Sequence, residues 1–350
     1  MQYKINTNIS RILIIQLGDI GDVVWAIPTF EAVKSAFPHA DLSVLTRKPF
    51  GDLLLDDASI DKVFQTSKES ILRQLQLLLR LRREKFDLIF DLRSDDRGAY
   101  TSFLVSAPMR AALYYPGLSW RNRAFTHLVD PLPNSGRVYS AAEQSLRVVR
   151  GFGIKETTTI PKIHVSQKIK DKILELINVE KIETTRGFIT INPFSRWSYK
   201  EWGMDKWQQL LSLLWDKYKM PTLVIGSSGE RERADKLTGH AGFPIHNLAG
   251  RTNLRELAAL LQLSRLHIGV DSAAPQIATA VGTPTLTIYG PSDWREWSPP
   301  GDGNQVVVPD MDCSPCHKKG CNGSGRSECL ETLAVLKVQD AAEKMMKALT

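Results

Sequence analysis

The sequence has no apolar run that approaches the 18 residues of a membrane span, and its opening residues, MQYKINTNISR, lack the apolar segment of a secretory signal. These two absences predict a protein of the cytoplasm. The sequence also has no low-complexity segment and no short-period repeat, which disfavours linker-rich and solenoid architectures. A chain of 350 residues is then long enough for two ordinary α/β domains.

Two common nucleotide-binding motifs are missing. There is no G-x-G-x-x-G segment, which disfavours a dinucleotide-dependent oxidoreductase, and no Walker A segment, which disfavours a P-loop kinase. The chain is basic, with 45 Lys and Arg against 38 Asp and Glu and a net charge of +7. A positive net charge suits a protein that binds a phosphorylated substrate, a membrane surface or nucleic acid. A basic surface that only faces solvent would give the same net charge.

Cysteine is scarce and confined to one place. The four cysteines form the pattern C-x2-C-x4-C-x7-C, as Cys313, Cys316, Cys321 and Cys329. In a cytoplasmic chain such clustering suggests a metal before a disulfide, and the first pair has the spacing of a zinc knuckle. The second pair is more widely spaced, so a loop of reduced thiols is the alternative, and it is the interpretation that we favour.

Short apolar runs alternate with amphipathic segments along the whole chain. In the first half the runs at 11–17, 42–45, 60–64, 86–92 and 111–115 read as strands. The pattern changes between residues 154 and 186, which we interpret as a bridge, and then restarts with strands at 187–192, 222–225, 267–270 and 285–289, and a last short helix at 340–349. Alternation of strand and helix predicts parallel sheets with helices on both faces. We therefore expect one Rossmann-like domain over residues 1–160 and a second over 161–350, with a ligand cleft outside the carboxyl ends of their strands.

The stretch from His267 to Asp293 is the most informative, because it reads as strand, tight loop, helix, strand. Asp271 and Ser272 follow the strand and are suited to cap the small-residue helix behind them. Free N–H groups and the helix dipole make such a helix start a candidate phosphate site. An ordinary capped βα unit would give the same pattern.

This stretch, VDSAAPQIATAVGTPTLTIYGPSD, resembles the donor-site segment of the ADP-heptose:lipopolysaccharide heptosyltransferases, glycosyltransferase family 9. The family pattern is close to D-T-G-x-x-H-x-x-x-A-x-G-x-P-x-x-x-x-Y-G-P-T. The chain departs from it at Ala273, where the family has glycine, and at Gln276, where it has histidine. The positions that it keeps are Asp271, Ala280, Gly282, Pro284, Tyr289, Gly290 and Pro291. The resemblance implies a GT-B fold, in which the two domains face a central cleft, and an inverting transfer of heptose from an ADP-sugar that needs no metal or other cofactor.

The resemblance also implies a catalytic base. The segment LGDIGDVVWAIP is similar to the family pattern G-D-x-x-x-x-x-P, whose aspartate serves as the general base. Asp19 and Asp22 both compete for that position, and the spacing to Pro28 favours Asp22. From the residues alone, Asp22 would equally be the N-cap of the helix that follows.

Further donor-binding residues are implied by three short matches. Ser195 and Lys200, followed by Trp202, fit the family pattern S/T-x-x-x-x-K-x-W, and a lysine there would offset the charge that grows on the leaving diphosphate. Glu230 matches the residue that binds the donor ribose, and Thr252 lies in the segment near the adenine. The alternatives are a solvated lysine, a glutamate at a helix start and a residue just before a helix cap.

Four arginines are candidates for binding the acceptor. DLRSDDRGAY resembles the family segment D-L-x-x-x-x-R-S and holds Arg93 and Arg97, while GLSWRNRAF holds Arg121 and Arg123. Arginine suits bidentate contact with the carboxylates or phosphates of an acidic, lipid-linked saccharide of the lipopolysaccharide core. A basic surface loop is the alternative for each of them.

The helix predicted at Ser70–Lys85 combines Leu72, Leu75, Leu78 and Leu79 with the basic residues Arg80, Arg82, Arg83 and Lys85. That mixture suits a helix resting on anionic lipid at the inner membrane, and it equally suits a helix packed on a sheet. No nucleic-acid partner is expected. The competing functions are a non-catalytic protein that binds a nucleotide sugar or a lipid-linked saccharide, and a transferase that uses another nucleotide sugar.

Overall fold

The computed structural model of the protein describes residues 9–67, 70–129, 141–156, 158–239, 242–298, 301 and 303–349. The chain divides into two compact units, the first ending at His164 and the second beginning at Val165. Within the described ranges, no helix has the combined length and apolarity to cross a bilayer. The roles predicted for the two domains, acceptor binding in 1–160 and donor binding in 161–350, stay predictions.

The N-terminal unit is a doubly wound parallel sheet. Its strands pair in the order β3-β2-β1-β4-β5-β6, and every pair is parallel. The strand order reverses between β1 and β4, which makes the loops after these two strands the switch point where ligands of such folds bind. In chain order the elements are β1 (Arg11–Gln16), α1 (Ile20–Ala36), β2 (Asp41–Arg47), β3 (Lys62–Thr66), α2 (Ile71–Arg83), β4 (Leu88–Asp91), α3 (Asp96–Val105), β5 (Met109–Leu113), α4 (Ser119–Arg123), β6 (His127–Val129) and α5 (Ala141–Arg150).

The core of this unit is built around strand β1 and helix α1. The β1 residues Ile12 to Ile15 are fully buried, as expected of a parallel strand that is covered on both faces. Helix α1 lies almost wholly in the interior and packs against α5. Pro28 is inside α1, and the helix nevertheless continues to Ala36.

The C-terminal unit repeats the same architecture. Its strands pair in the order β12-β11-β10-β7-β8-β9, which is the order of the first sheet read from the opposite edge, and its switch point lies between β7 and β10. The elements are α6 (Gln167–Val179), β7 (Ile189–Asn192), α7 (Met204–Tyr218), β8 (Thr222–Val224), α8 (Arg231–Thr238), β9 (Ile245–Asn247), α9 (Leu254–Leu263), β10 (Leu266–Val270), α10 (Ala273–Ala280), β11 (Thr285–Ile288), α11 (Trp294–Trp297), β12 (Asn304–Val307), α12 (Glu328–Thr332) and α13 (Val335–Ala348).

The structure corrects three expectations. The segment interpreted as a bridge contains α6, which packs against α9 and is part of the C-terminal unit. The edge strands β6, β9 and β12 were not expected, because all three are short and only partly buried. The last helix begins at Val335 and not at residue 340, since its N-cap, Ala334, offers no capping side chain to mark the start.

Candidate functional site

The loop after β1 holds Asp22 in a fixed position. Asp19 is the N-cap of α1 and Asp22 is the third helical residue, so the alternative in which Asp22 is itself the N-cap is wrong. The backbone N–H of Asp19 donates to Oδ2 of Asp22 over 2.8 Å, the reciprocal half of a capping box. A Cβ on Gly18 would lie 2.4 Å from the same oxygen. Glycine is therefore needed at position 18 for the carboxylate to lie where it does.

Arg93 reaches Asp22 across the switch point. It follows β4, and its Nη1 lies 2.8 Å from Oδ2 of Asp22, although 71 residues separate the two in sequence. Burial raises the pKa of the Asp22 carboxyl, while the Arg93 charge and the Asp19 N–H act in the opposite direction. The side chain still keeps 20% of its exposure. A carboxylate that solvent can reach and whose pKa is raised is a stronger proton acceptor than one at its usual pKa.

The other three candidate arginines lie in different surroundings. Arg97 donates to the carbonyl oxygen of Leu17 over 3.0 Å and to Asp95 over 2.9 Å, which brings it to the same loop. Arg121 forms an ion pair with Asp96 at the start of α3. Arg123 is exposed at the end of α4, and in the described part of the chain no ion pair is recorded for it.

A second cluster forms at the switch point of the C-terminal unit. Nζ of Lys200, in the turn after β7, lies 2.6 Å from Oδ2 of Asp271, which follows β10. Ser195 donates its hydroxyl to the carbonyl oxygen of Asp271 over 3.4 Å, and Asn192 donates to the Ser272 hydroxyl over 3.3 Å. The structure thus brings four predicted residues together and adds Asn192, which its place at the end of a buried strand could have indicated.

The start of α10 is organised as the sequence predicts, with one difference. Ser272 is its N-cap, but its side chain makes no capping hydrogen bond, so the first-turn N–H groups are not satisfied by a cap. The dipole of α10 places partial positive charge at this end. Ala273 is the first helical residue and is partly buried. Gly282, with φ of +84°, lies just beyond the C-cap Val281, in the position after a helix that glycine favours.

Gln276, at the position of the family histidine, faces the interior. It is 4% exposed, and its Nε2 donates to the carbonyl oxygen of Trp297 over 3.0 Å, which ties α10 to α11. It lies beside the hydroxyl of Tyr289, whose pKa is raised well above its usual value by burial and by Asp271. In this geometry the amide has a structural role, because it joins α10 to α11.

Glu230 and Thr252 lie in neighbouring loops. Oε2 of Glu230 accepts hydrogen bonds from the N–H and the hydroxyl of Ser227, at 2.6 and 2.9 Å. Thr252 directly precedes Asn253, the N-cap of α9. The loops touch where the Gly250 N–H donates to the carbonyl oxygen of Gly226 over 2.9 Å. The capping alternative is therefore realised for Glu230, and Thr252 occupies the position before a cap.

The cysteine loop, residues 313–329, contacts the turn that carries Lys200. Cys313 is exposed, Cys329 is buried, and Cys316 and Cys321 are intermediate; all four are unpaired. Among the residues that the structure describes, no three His, Cys, Asp or Glu side chains converge to hold a metal ion.

Two contacts of this loop reach the predicted donor site. The Ser314 hydroxyl donates to the carbonyl oxygen of Gly290 over 2.8 Å, and the Ser327 hydroxyl donates to that of Tyr199 over 2.6 Å. These contacts show that the cysteine loop supports both the Gly290-Pro291 turn and the turn that carries Lys200.

Comparison with known proteins agrees with this geometry. The family model for glycosyltransferase family 9 (heptosyltransferase) matches residues 74–325. The chain is 26% identical over 292 residues to lipopolysaccharide heptosyltransferase 3 of Escherichia coli (strain K12), covering 79% of this chain and 83% of that protein.

Two solved structures share the fold. A family 9 glycosyl transferase from Veillonella parvula superposes with a TM-score of 0.83 at 19% identity, covering 97% of each chain. The E. coli ADP-heptose heptosyltransferase II superposes with a TM-score of 0.79 at 17% identity, covering 97% of this chain and 99% of that one. The expected GT-B class with two Rossmann-like units is confirmed. Because the family model matches well over half of its length, the chain belongs to glycosyltransferase family 9, the heptosyltransferase family.

Proposed function

We propose that the protein transfers heptose from ADP-heptose to an inner-core acceptor of lipopolysaccharide, with inversion at the anomeric carbon. Family membership supports the reaction class, and similarity to a lipopolysaccharide heptosyltransferase of E. coli supports the acceptor. The observation that carries the proposal is that each unit has an ion pair at its switch point. The pairs are Asp22 with Arg93 and Lys200 with Asp271. A base and an anion-binding cation are the two groups that such a transfer needs.

In the proposed reaction Asp22 takes the proton from an acceptor hydroxyl. The freed oxygen attacks the anomeric carbon of the heptose, and the bond from that carbon to the diphosphate oxygen breaks. ADP leaves with its new charge facing the Lys200 ammonium and the first turn of α10 at Ser272. Because Asp271 already holds the ammonium at 2.6 Å, Lys200 is oriented before the donor arrives. We propose that no metal or other cofactor takes part.

Substrate recognition is proposed to divide between the units. In the C-terminal unit, Ser195 and Ala273 would face the diphosphate, Gln276 would limit the space beside Asp271, and Thr252 would lie near the adenine. Glu230 would bind the ribose through Oε1, because Oε2 is occupied by Ser227.

In the N-terminal unit, the acidic groups of the acceptor would meet cationic side chains. Arg93 and Arg97 are proposed to contact the sugar that receives heptose, because both lie at the loop that carries Asp22. Arg121 and Arg123 would contact acidic groups farther along the acceptor. The protein would work in the cytoplasm, with a peripheral contact to the inner membrane where its lipid-linked acceptor resides, and without nucleic acid.

A donor panel tests the proposal. Purified protein is incubated with an inner-core acceptor and, in turn, ADP-heptose and the UDP, GDP and CMP sugars, while thermal shift measures binding of each nucleotide. We expect transfer from ADP-heptose alone, with inverted anomeric configuration by NMR. Binding without transfer of any sugar would identify a non-catalytic binding protein, and transfer from another sugar would assign a different donor.

A further inference from the structure

Helix α2 exposes a stripe of large apolar side chains. Ile71, Leu72, Leu75 and Leu79 are 53–77% exposed, and at 100° per residue they lie within about 100° of the helix circumference. The inner side of the helix is formed by Leu81, which is buried, and by Leu78, which packs on the core of the sheet. Leu78 therefore belongs to the inner side of the helix.

The charge of α2 is entirely positive. Its sequence, ILRQLQLLLRLRR, contains four arginines and no acidic residue. Arg82 reaches the end of α3, where its Nη1 lies 3.3 Å from the carbonyl oxygen of Leu104, and Arg83 is exposed. An apolar stripe flanked by arginines is the composition of a helix that lies at a membrane surface.

Helix α3 extends the same surface, since it packs directly against α2. Tyr100, Phe103 and Leu104 are 44–61% exposed. The ring of Tyr100 lies 4.6 Å from that of Trp120, another exposed aromatic residue. Together the apolar residues form what we call the α2–α3 face, made of Ile71, Leu72, Leu75, Leu79, Tyr100 and Phe103. Large apolar side chains grouped on one surface mark an interaction site, whereas scattered ones do not.

A cavity lies between the two helices, and its lining is again apolar and basic. It has a volume of about 570 Å³, and the residues that line it include six leucines and the cations Arg47, Lys48 and Arg97, but no carboxylate. Lys48 is exposed, and across the described ranges no side-chain partner is recorded for it. Arg47 and Arg97 are paired with Asp19 and Asp95, whereas Lys48 adds positive charge to that of the α2 arginines. Apolar surface beside such charge is complementary to lipid with anionic headgroups.

We propose that the α2–α3 face docks on an anionic lipid bilayer. The leucine stripe would enter the boundary between headgroups and acyl chains, the arginines would face the phosphates, and the aromatic side chains of α3 would lie at the interface that such rings favour. The inference rests on the proposed function, because a lipid-linked acceptor requires the enzyme to approach the membrane. It goes further by assigning the surface and the chemistry of its partner.

Sedimentation with lipid vesicles tests the proposal. We expect the protein to bind phosphatidylcholine vesicles that contain phosphatidylglycerol, and to bind more weakly as salt is raised, because salt screens the arginines. The triple variant Leu72→Gln, Leu75→Gln, Leu79→Gln should bind at least tenfold more weakly at an unchanged melting temperature. The matched control, Leu174→Gln with Leu336→Gln, replaces leucines that are 49% and 65% exposed in the other unit and should bind like wild type.

A second measurement separates this proposal from the proposed function. With a water-soluble, deacylated acceptor the triple variant should turn over like wild type, while turnover of the vesicle-embedded acceptor should fall in parallel with vesicle binding. If the chain transfers no heptose at all, the vesicle experiment still tests the docking surface. Failure of wild type to bind anionic vesicles at low salt, or equal weakening of the triple variant and the control, would overturn the proposal. So would a triple variant that binds vesicles normally but changes its oligomeric state.

Discussion

The two units place a charged pair at the same point of the same fold, with the charges in opposite order. In the N-terminal unit the carboxylate of Asp22 follows the first strand and the guanidinium of Arg93 follows the fourth. In the C-terminal unit the ammonium of Lys200 follows the first strand and the carboxylate of Asp271 follows the fourth. Both pairs join loops on either side of the place where the strand order reverses.

The difference shows how one architecture supports two kinds of chemistry. Asp22 is enclosed by the capping box of α1, and burial raises the pKa of its carboxyl. The start of α10 lacks a side-chain cap, and the nearby Lys200 adds positive charge. The first switch point is therefore suited to accept a proton, and the second to accept an anion.

The largest expected effect comes from removing the base. Asp22→Asn keeps the size of the side chain and one oxygen for the Asp19 N–H, but it cannot accept a proton from a hydroxyl. We expect kcat to fall by about 10²–10⁴, the usual contribution of general base catalysis. Steady-state kinetics measure this, with ADP affinity and melting temperature expected to stay close to wild type.

The control is Asp19→Asn, which alters the N-cap of the same helix and leaves Asp22 in place. Its effect on kcat should be milder. An active Asp22→Asn beside an inactive, well-folded Asp19→Asn would assign the base to Asp19, and full activity in both would exclude the mechanism.

The next effect tests the anion site. Lys200→Ala should weaken ADP binding by about ten- to a hundredfold, the range for one charge-assisted hydrogen bond, as measured by calorimetry. Lys236→Ala, which removes an exposed lysine paired with Glu232, is the matched control. Because Lys200→Ala also leaves Asp271 without its cation, the double variant with Asp271→Asn shows whether repulsion by that carboxylate contributes. Unchanged affinity in Lys200→Ala would remove Lys200 from the donor site.

What the sequence could predict depends on how far apart the interacting residues lie. The capping box of Asn253 and Glu256 can be read from the sequence, because its partners are three residues apart. The positions of Asp22 and Asp271 after their strands could also be read from the local pattern of apolar residues. Arg93 and Lys200 could be placed only near strand ends, since each meets its carboxylate across 71 residues.

The remaining differences have similar causes. The placement of Glu230 at a helix start was one of two open alternatives, and there its carboxylate accepts the N–H of Ser227. The contact of the cysteine loop with Tyr199 spans 128 residues, so no local pattern could indicate it. Membership of the family was read from ordered motifs and is confirmed.

A smaller effect concerns the electrostatics of the first pair. Arg93 lowers the pKa of Asp22 against the effect of burial, so Arg93→Gln should raise that pKa further. A base works in its deprotonated form, and the acidic limb of the pH profile of kcat/KM should therefore move to higher pH in this variant. Arg97→Gln should leave the limb in place, because Arg97 contacts Leu17 and Asp95 and not Asp22. If the acidic limb does not move in Arg93→Gln, the pH profile does not report the ionisation of Asp22.

The smallest expected effect concerns one buried titratable group in a central strand of each sheet. Asp91, at the end of β4, is fully buried, and burial raises its pKa to about 7 against the N–H groups of Arg93 and Ser94. His267, in β10, is also fully buried, and burial lowers its pKa to about 3. Unfolding would return the first group to a pKa near 3.8 and the second to one near 6.5.

The two groups should therefore act on stability in opposite directions between pH 4 and 6.5. As pH rises there, unfolded Asp91 loses its proton while the folded form keeps it, so this group lowers the free energy of unfolding by about 1.4 kcal/mol per pH unit. Folded His267 is already neutral while the unfolded ring still loses its proton, so that group raises the free energy of unfolding at a similar slope. Denaturant unfolding at several pH values measures both. Relative to wild type, Asp91→Asn should gain stability as pH rises, whereas His267→Gln should lose it, and differences of the same sign would contradict the assignment.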